Sequence, residues 1–150
     1  ERTKQYNKTD TSKKYRREWA KNKYDTNEEY RQRCIDNAVS YERKMLNTNI
    51  EYKIKHVLRS RIRNALKKHL AHKYRNTNNL TSCTMEELKN YLEAKFIEGM
   101  TWENHGDWHI DHIKPCCSFD LTQEEEQKKC FHYTNLQPLW ASENLSKGGR

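Results

Sequence analysis

Ile50, Ile54, Leu58, Ile62, Leu66 and Leu70 recur at every fourth position, with Val57 and Ala65 widening the stripe. This spacing predicts an amphipathic helix of about twenty residues. Two shorter helices are expected before it. The run from Ser12 to Lys23 fits a basic helix capped by Ser12, with Tyr15, Trp19 and Ala20 as a narrow apolar stripe. From Asn27 to Met45, Tyr30, Cys34, Ala38 and Tyr41 recur at helical spacing. Residues 1–12 have no apolar period and read as a flexible arm. The Asn-rich stretch from Asn76 to Asn79 reads as a break. A helix then opens at Thr84, where Thr84 and Glu87 have capping-box spacing and Leu88, Leu92 and Phe96 supply a buried face.

Beyond Gly99 the pattern changes to strands and turns. Asn104-His105-Gly106-Asp107 signals a turn, Trp108 to Ile113 a strand stopped by Pro115, and Leu136 to Trp140 a second strand. Between them lies a long acidic loop, 116–134, with a helical turn expected at Glu124 to Lys129; a last helix is expected from Ser142 to Lys147. The expected class is α+β: basic N-terminal helices over residues 1–79, then a small mixed module over 80–150.

Charge sharpens that division. Residues 1–75 hold 22 Lys and Arg against 9 Asp and Glu, whereas residues 76–150 hold 7 against 12. The basic half suits a polyanion, because each phosphate it neutralises releases condensed counterions. Glu51 to Arg75 carries nine basic residues and one acidic, which leaves little opposite charge for pairing along the helix. DNA backbone contact is therefore expected from Arg59, Arg61, Arg63, Lys67 and Lys68. No apolar run approaches the eighteen or so residues of a membrane span, and no secretory leader opens the chain. The sequence does not begin with Met, so it is expected to be trimmed or cut from something longer. Five cysteines without a regular framework point to a reducing, intracellular compartment.

The chemistry concentrates in three short segments: Asp111-His112, Asn135-Leu136-Gln137, and Asn144 through Lys147-Gly148. Asp111 offers a hard oxygen ligand for Mg²⁺, and His112 a nitrogen that titrates near neutral pH. Asn144 would add a second oxygen ligand. Such an ion polarises a phosphodiester while the histidine takes a proton from water. Strand alternation opposes this, since neighbours point to opposite faces. The pair can serve one site only if the strand ends or twists there, as Pro115 suggests.

Trp108-His109-Ile110-Asp111-His112-Ile113-Lys114-Pro115, then Asn135-Leu136-Gln137-Pro138-Leu139-Trp140, then Glu143-Asn144-Leu145-Ser146-Lys147-Gly148 resembles the HNH endonucleases, as encoded by phages, large DNA viruses and mobile introns. The resemblance covers about residues 80–150. It implies a ββα-metal fold, with Asp111 as first metal ligand, His112 as general base, and Asn144 as second ligand where many members carry a histidine. It also implies that Asn135 pins the loop and so orients His112, and that Lys147 faces the scissile phosphate. The cofactor so implied is one Mg²⁺ or Mn²⁺ per active site, and the products carry 5′-phosphate and 3′-hydroxyl ends.

Many members of that family brace the fold with two Cys-x-x-Cys pairs on zinc, which this sequence lacks. The nearest set, Cys116, Cys117, Cys130 and His132, is poorly spaced for a tetrahedral site, so structural zinc is not expected and Cys130 and Phe131 should pack under the loop. Trp102, Trp108 and Trp140 read as core, and His105 and His132 as turn and loop residues. His109 reads either as a phosphate contact or as a polar strand position. The function expected is a metal-dependent DNA endonuclease or nickase of homing type acting on double-stranded DNA, with a homodimer or a second binding event needed for a double-strand break. Its rivals are a non-catalytic nucleic-acid-binding module with a Cys/His zinc site and a junction- or RNA-directed nuclease.

Overall fold

The computed structural model describes residues 9–148; residues 1–8 of the arm expected at 1–12 lie outside them, and residues 10–12 are helical instead. The helices and strands, in chain order, are α1 (Asp10–Thr26), α2 (Glu28–Thr48), α3 (Ile50–Lys68), α4 (Thr77–Thr81), α5 (Met85–Glu93), β1 (Trp108–His112), α6 (Glu124–Phe131), β2 (Leu136–Trp140) and α7 (Ala141–Lys147). Short 3₁₀ turns occupy Cys116–Ser118 and Tyr133–Asn135. The class is α+β, mostly helical, with one two-stranded antiparallel sheet. No described helix is long and apolar enough to cross a membrane.

Packing divides the chain into two compact units, one up to Met45 and one from Leu46 onward. Charge and burial partition the chain differently: the charge balance changes near residue 79, whereas the compact units meet between Met45 and Leu46. α3 carries the basic charge, yet its apolar stripe belongs to the second core.

In the first unit, α1 begins two residues before Ser12, the cap that its stripe suggests. Thr9, not Ser12, is the cap: its hydroxyl accepts from the Ser12 amide at 3.2 Å, and Ser12 itself is buried. Asn27 caps α2, accepting from the Tyr30 amide at 2.7 Å. Arg31 closes the corner by donating to the Tyr24 and Asp25 carbonyls at 2.9 and 2.7 Å. Lys23 lies 4.8 Å from the Trp19 ring centroid. The expected stripe does not become a core: Tyr15, Trp19 and Tyr41 remain half or more exposed. The helices hold too few large apolar residues to bury one face.

The second unit is built on α3, whose N-terminus is capped by Asn49. Its first pair of stripe residues, Ile54 and Leu58, packs with Leu88 and Leu92 of α5, Trp102, Trp108, Ile110 and Leu136. Its second pair, Ile62 and Leu66, packs with Leu80, Leu121, Cys130 and Phe131. A residue every fourth position keeps one helix face inward through both clusters. Leu70 leaves that face, because the helix ends at Lys68 and Leu70 has φ 51° and is 95% exposed.

Asn76–Asn79 is not a break. Asn76 caps α4, accepting from the Asn79 amide at 2.9 Å, and Leu80 is fully buried. At Thr84 both halves of the capping box form, with the Thr84 amide donating to Glu87 at 2.8 Å and the Glu87 amide to Thr84 at 3.2 Å. The loop 116–134 is more ordered than its polarity suggests. Buried Gln127 donates to the carbonyls of His72 and Leu121 at 2.7 and 2.8 Å, and Arg75 pairs with Glu124 at 2.7 Å. β1 and β2 pair in register from Trp108↔Trp140 to His112↔Leu136, with Pro138 opposite Ile110. A two-stranded sheet gives each strand an outward edge, where proline is tolerated.

Truncation of Leu58 to Ala should therefore destabilise the unit from Leu46 onward by roughly 2–5 kcal/mol, measured by denaturant unfolding. Unchanged stability would separate α3 from that core. A second expectation concerns His105, half-buried with its ring 4.8 Å from that of Trp108. Burial, helped by the nearby charge of Lys53, pushes its pKa down to about 4. Protonation then favours the unfolded chain, whose histidine titrates near 6.5. The contribution is complete above pH ~6.5 and is lost as pH falls toward about 4. Unfolding midpoints across that window should fall, and less steeply in His105→Gln.

Candidate functional site

The site forms where β1 ends. Trp108 and Ile110 face the core, so alternation sends His109 and Asp111 to the other face, which α7 covers. Residues three apart on a helix share a face, as do residues two apart on a strand. Asn144 and Lys147 of α7 accordingly meet His109 and Asp111 in order. Asn144 Nδ2 lies 3.0 Å from His109 Nδ1, and Lys147 Nζ lies 2.7 Å from Asp111 Oδ2. His109 is thus held as a partner of Asn144.

His112 follows on the opposite face, with its ring edge-on to Phe131 at 5.7 Å. β1 stops there, and both Asp111 and His112 line one cleft of about 420 Å³ with Arg61, Lys68, Cys116 and Asn144. Termination of the strand is what lets two neighbours of opposite orientation border one space.

Asp111 is 8% exposed and sits between two cations. Lys147 holds one carboxylate oxygen, and Arg61 Nη2 lies 3.7 Å from the other. A buried carboxylate requires such partners. Lys147 also donates to the backbone carbonyls of His112 and Ile113, so its ammonium is directed into the strand end. The cleft carries more positive than negative charge, which suits a phosphodiester.

Asn135 clamps the segment after His112. Its Oδ1 accepts from the Lys114 amide at 2.9 Å, and its Nδ2 donates to the carbonyls of Cys130 and Lys114 at 2.8 and 3.1 Å. The Ile113 amide donates to its backbone oxygen at 2.8 Å.

The basic residues of α3 diverge. Arg61 and Lys68 border the cleft. Arg59 borders a separate groove with Lys55, Lys73 and Asn76, and burial together with Arg59 lowers the Lys73 pKa. Arg63 and Lys67 are exposed.

The chain is similar to two mimivirus proteins. It is 38% identical to an uncharacterized protein of Acanthamoeba polyphaga mimivirus over 104 residues, which is 69% of this chain and 45% of that protein. A second uncharacterized protein of the same virus is 40% identical over 97 residues, 64% of this chain and 42% of that one. The chain thus spans less than half the length of these curated relatives. No family model matches it. No solved structure matches it.

Two donor sets border His112. Asp111 and Asn144 supply hard oxygens. The amide nitrogen of Asn144 is engaged by His109, which leaves Oδ1 as its remaining donor atom toward the cleft. The other set was not legible in the sequence. Cys116 lies beside both His112 and Cys130, whereas His132 turns away to Thr134 at 2.8 Å. The sequence groups the cysteines with His132 through proximity along the chain, but the fold groups them with His112. Cys130 donates its thiol hydrogen to Cys116, which with His112 and Arg61 holds the Cys116 thiol well below the ordinary range. That hydrogen bond and burial push Cys130 up.

Replacing Asn135 by Ala would leave the Cys130 carbonyl and the Lys114 amide without their partner. A loss of roughly 1–3 kcal/mol is expected in denaturant unfolding. A loss well below that range would show that solvent replaces the clamp.

Proposed function

We propose that the chain is a metal-dependent DNA endonuclease or nickase of the HNH type, its residues 108–148 forming a ββα-metal module. One observation supports this reading above the others: Asp111, His112 and Asn144, on a strand end and a following helix, border one positively charged cleft.

His112 takes a proton from the attacking water as its oxygen bonds to phosphorus and the P–O3′ bond breaks. This leaves 5′-phosphate and 3′-hydroxyl ends, the freed oxygen being protonated by solvent. Asn135 holds the backbone after His112 and so keeps the ring on the cleft wall. Asp111 and Asn144 would hold one Mg²⁺ or Mn²⁺, which when bound supplies stabilisation of charge on the leaving oxygen. Arg61 offers its guanidinium to the same phosphate from α3. Lys147 balances Asp111 and turns toward phosphate only when another cation takes its place on the carboxylate. The exposed basic residues Arg63 and Lys67, with Arg59 in its groove, contact the DNA backbone and contribute affinity without sequence readout.

Supercoiled plasmid incubated with Mg²⁺ should convert to open-circle or linear DNA, and chelation should abolish this. His112→Ala should cut about 10²–10⁴-fold more slowly while still binding DNA. Plasmid, branched DNA and RNA all shifted but left intact by the unaltered protein would overturn the nuclease reading. Cutting confined to branched DNA or RNA would change the substrate assignment.

A further inference from the structure

The Cys116, Cys130 and His112 cluster is not used by the proposed hydrolysis, although it shares the histidine. Cys130 Sγ lies 3.6 Å from Cys116 Sγ. Cys116 Sγ lies 3.7 and 3.8 Å from the two ring nitrogens of His112. One ligand atom from each of the three residues lies within 4.8 Å of the others. A tetrahedral Zn²⁺ with bonds of about 2.3 Å to sulfur and about 2.0 Å to nitrogen has edges of about 3.8 Å (S–S) and about 3.5 Å (S–N). The Cys130–Cys116 and Cys116–His112 separations are close to those edges, and Cys130 and His112 lie within 4.8 Å of each other.

We propose that Cys116, Cys130 and one ring nitrogen of His112 bind a thiophilic divalent ion, Zn²⁺, at a second metal site distinct from the oxygen pair Asp111 and Asn144. The three ligands come from different elements, each independently anchored. Cys130 is fully buried in α6, and its carbonyl accepts from Asn135. His112 ends β1 with its ring against Phe131. Cys116 opens the 3₁₀ turn after Pro115. Side-chain rotation of Cys116 and His112 suffices to bring three ligand atoms already within 4.8 Å onto one ion. Cys116 and His112 also line the cleft, which gives an ion access to the site. Two thiolates and an imidazole select Zn²⁺ strongly over Mg²⁺.

The shared histidine has a consequence that rests on the nuclease reading, whereas the site itself does not. A His112 lone pair bound to Zn²⁺ cannot accept a proton from water. Zn²⁺ on the sulfur site therefore opposes Mg²⁺-dependent cutting, and the cell's free zinc would set the active fraction.

The test is titration of the reduced, metal-free full chain with Co²⁺, followed by absorption. One equivalent should produce thiolate-to-cobalt charge transfer and the intense visible bands of a tetrahedral ion, both displaced by Zn²⁺. Cys117→Ser and His132→Ala should retain the bands. Cys116→Ser, with folding checked by circular dichroism, should weaken binding by more than the roughly 10–100-fold that loss of an outer partner costs. Absence of charge transfer, or its survival in folded Cys116→Ser, overturns the site. X-ray absorption on the zinc-loaded unaltered protein reads the ligand set directly, with two sulfurs and at least one nitrogen expected and any other sulfur count excluding the assignment. In the plasmid assay, equimolar Zn²⁺ should suppress cutting, a chelator selective for zinc should restore it, and Cys116→Ser should need more Zn²⁺ for half-suppression. Cobalt bands with no cutting under any condition would sink the nuclease reading and leave the metal site standing. Bands with zinc-insensitive cutting would overturn the regulation.

Discussion

Burial of one face of α3 is the constraint on which the C-terminal unit depends. Ile54 and Leu58 close one cluster with the α5 and strand residues, while Ile62 and Leu66 close another with α4 and α6. A single helix thereby ties the sheet to the long loop. The same burial sets the rotation of the helix about its axis. With Ile62 inward, Arg61 is carried to the cleft and reaches Asp111. A residue whose sequence context suggests only nonspecific phosphate contact becomes part of the site's electrostatics.

The second constraint is the buried Asp111 carboxylate. Water cannot solvate it fully, so protein cations must, and Lys147 and Arg61 do so from α7 and α3. This joins the three elements around the cleft through charge as well as through packing. It also gives the proposed ion a competitor already in place, because a divalent cation on Asp111 relieves the need for Lys147. Placing the ammonium on the strand-end carbonyls compensates backbone oxygens that the sheet no longer pairs.

His112 stands between two kinds of chemistry. It shares a cleft with the Asp111 and Asn144 oxygens of the proposed Mg²⁺ site and contacts the sulfur of Cys116 in the proposed Zn²⁺ site. The proposed base is thereby placed where a thiophilic metal competes with proton transfer. The polar clamp of Asn135 serves both sides, because it bonds the backbone after His112 and the carbonyl of Cys130.

The chain by itself determined what periodicity and local chemistry can specify. The four-residue stripe of α3, the capping box at Thr84, the strands beginning at Trp108 and at Leu136, and the chemistry-bearing residues along them are short-range patterns, written in residues a few positions apart. Local polarity misled where tertiary burial decided. The Asn-rich segment became a capped helix because Leu80 finds the second cluster, and the acidic loop became ordered because Gln127 bonds across to His72. Charge divides the chain near residue 79, and contact divides it before α3. Only the tertiary structure brought Arg61 to Asp111 and the two cysteines to His112. Those contacts depend on the rotation of α3 and the path of the 116–134 loop, and no periodicity within either segment encodes where its side chains meet another element.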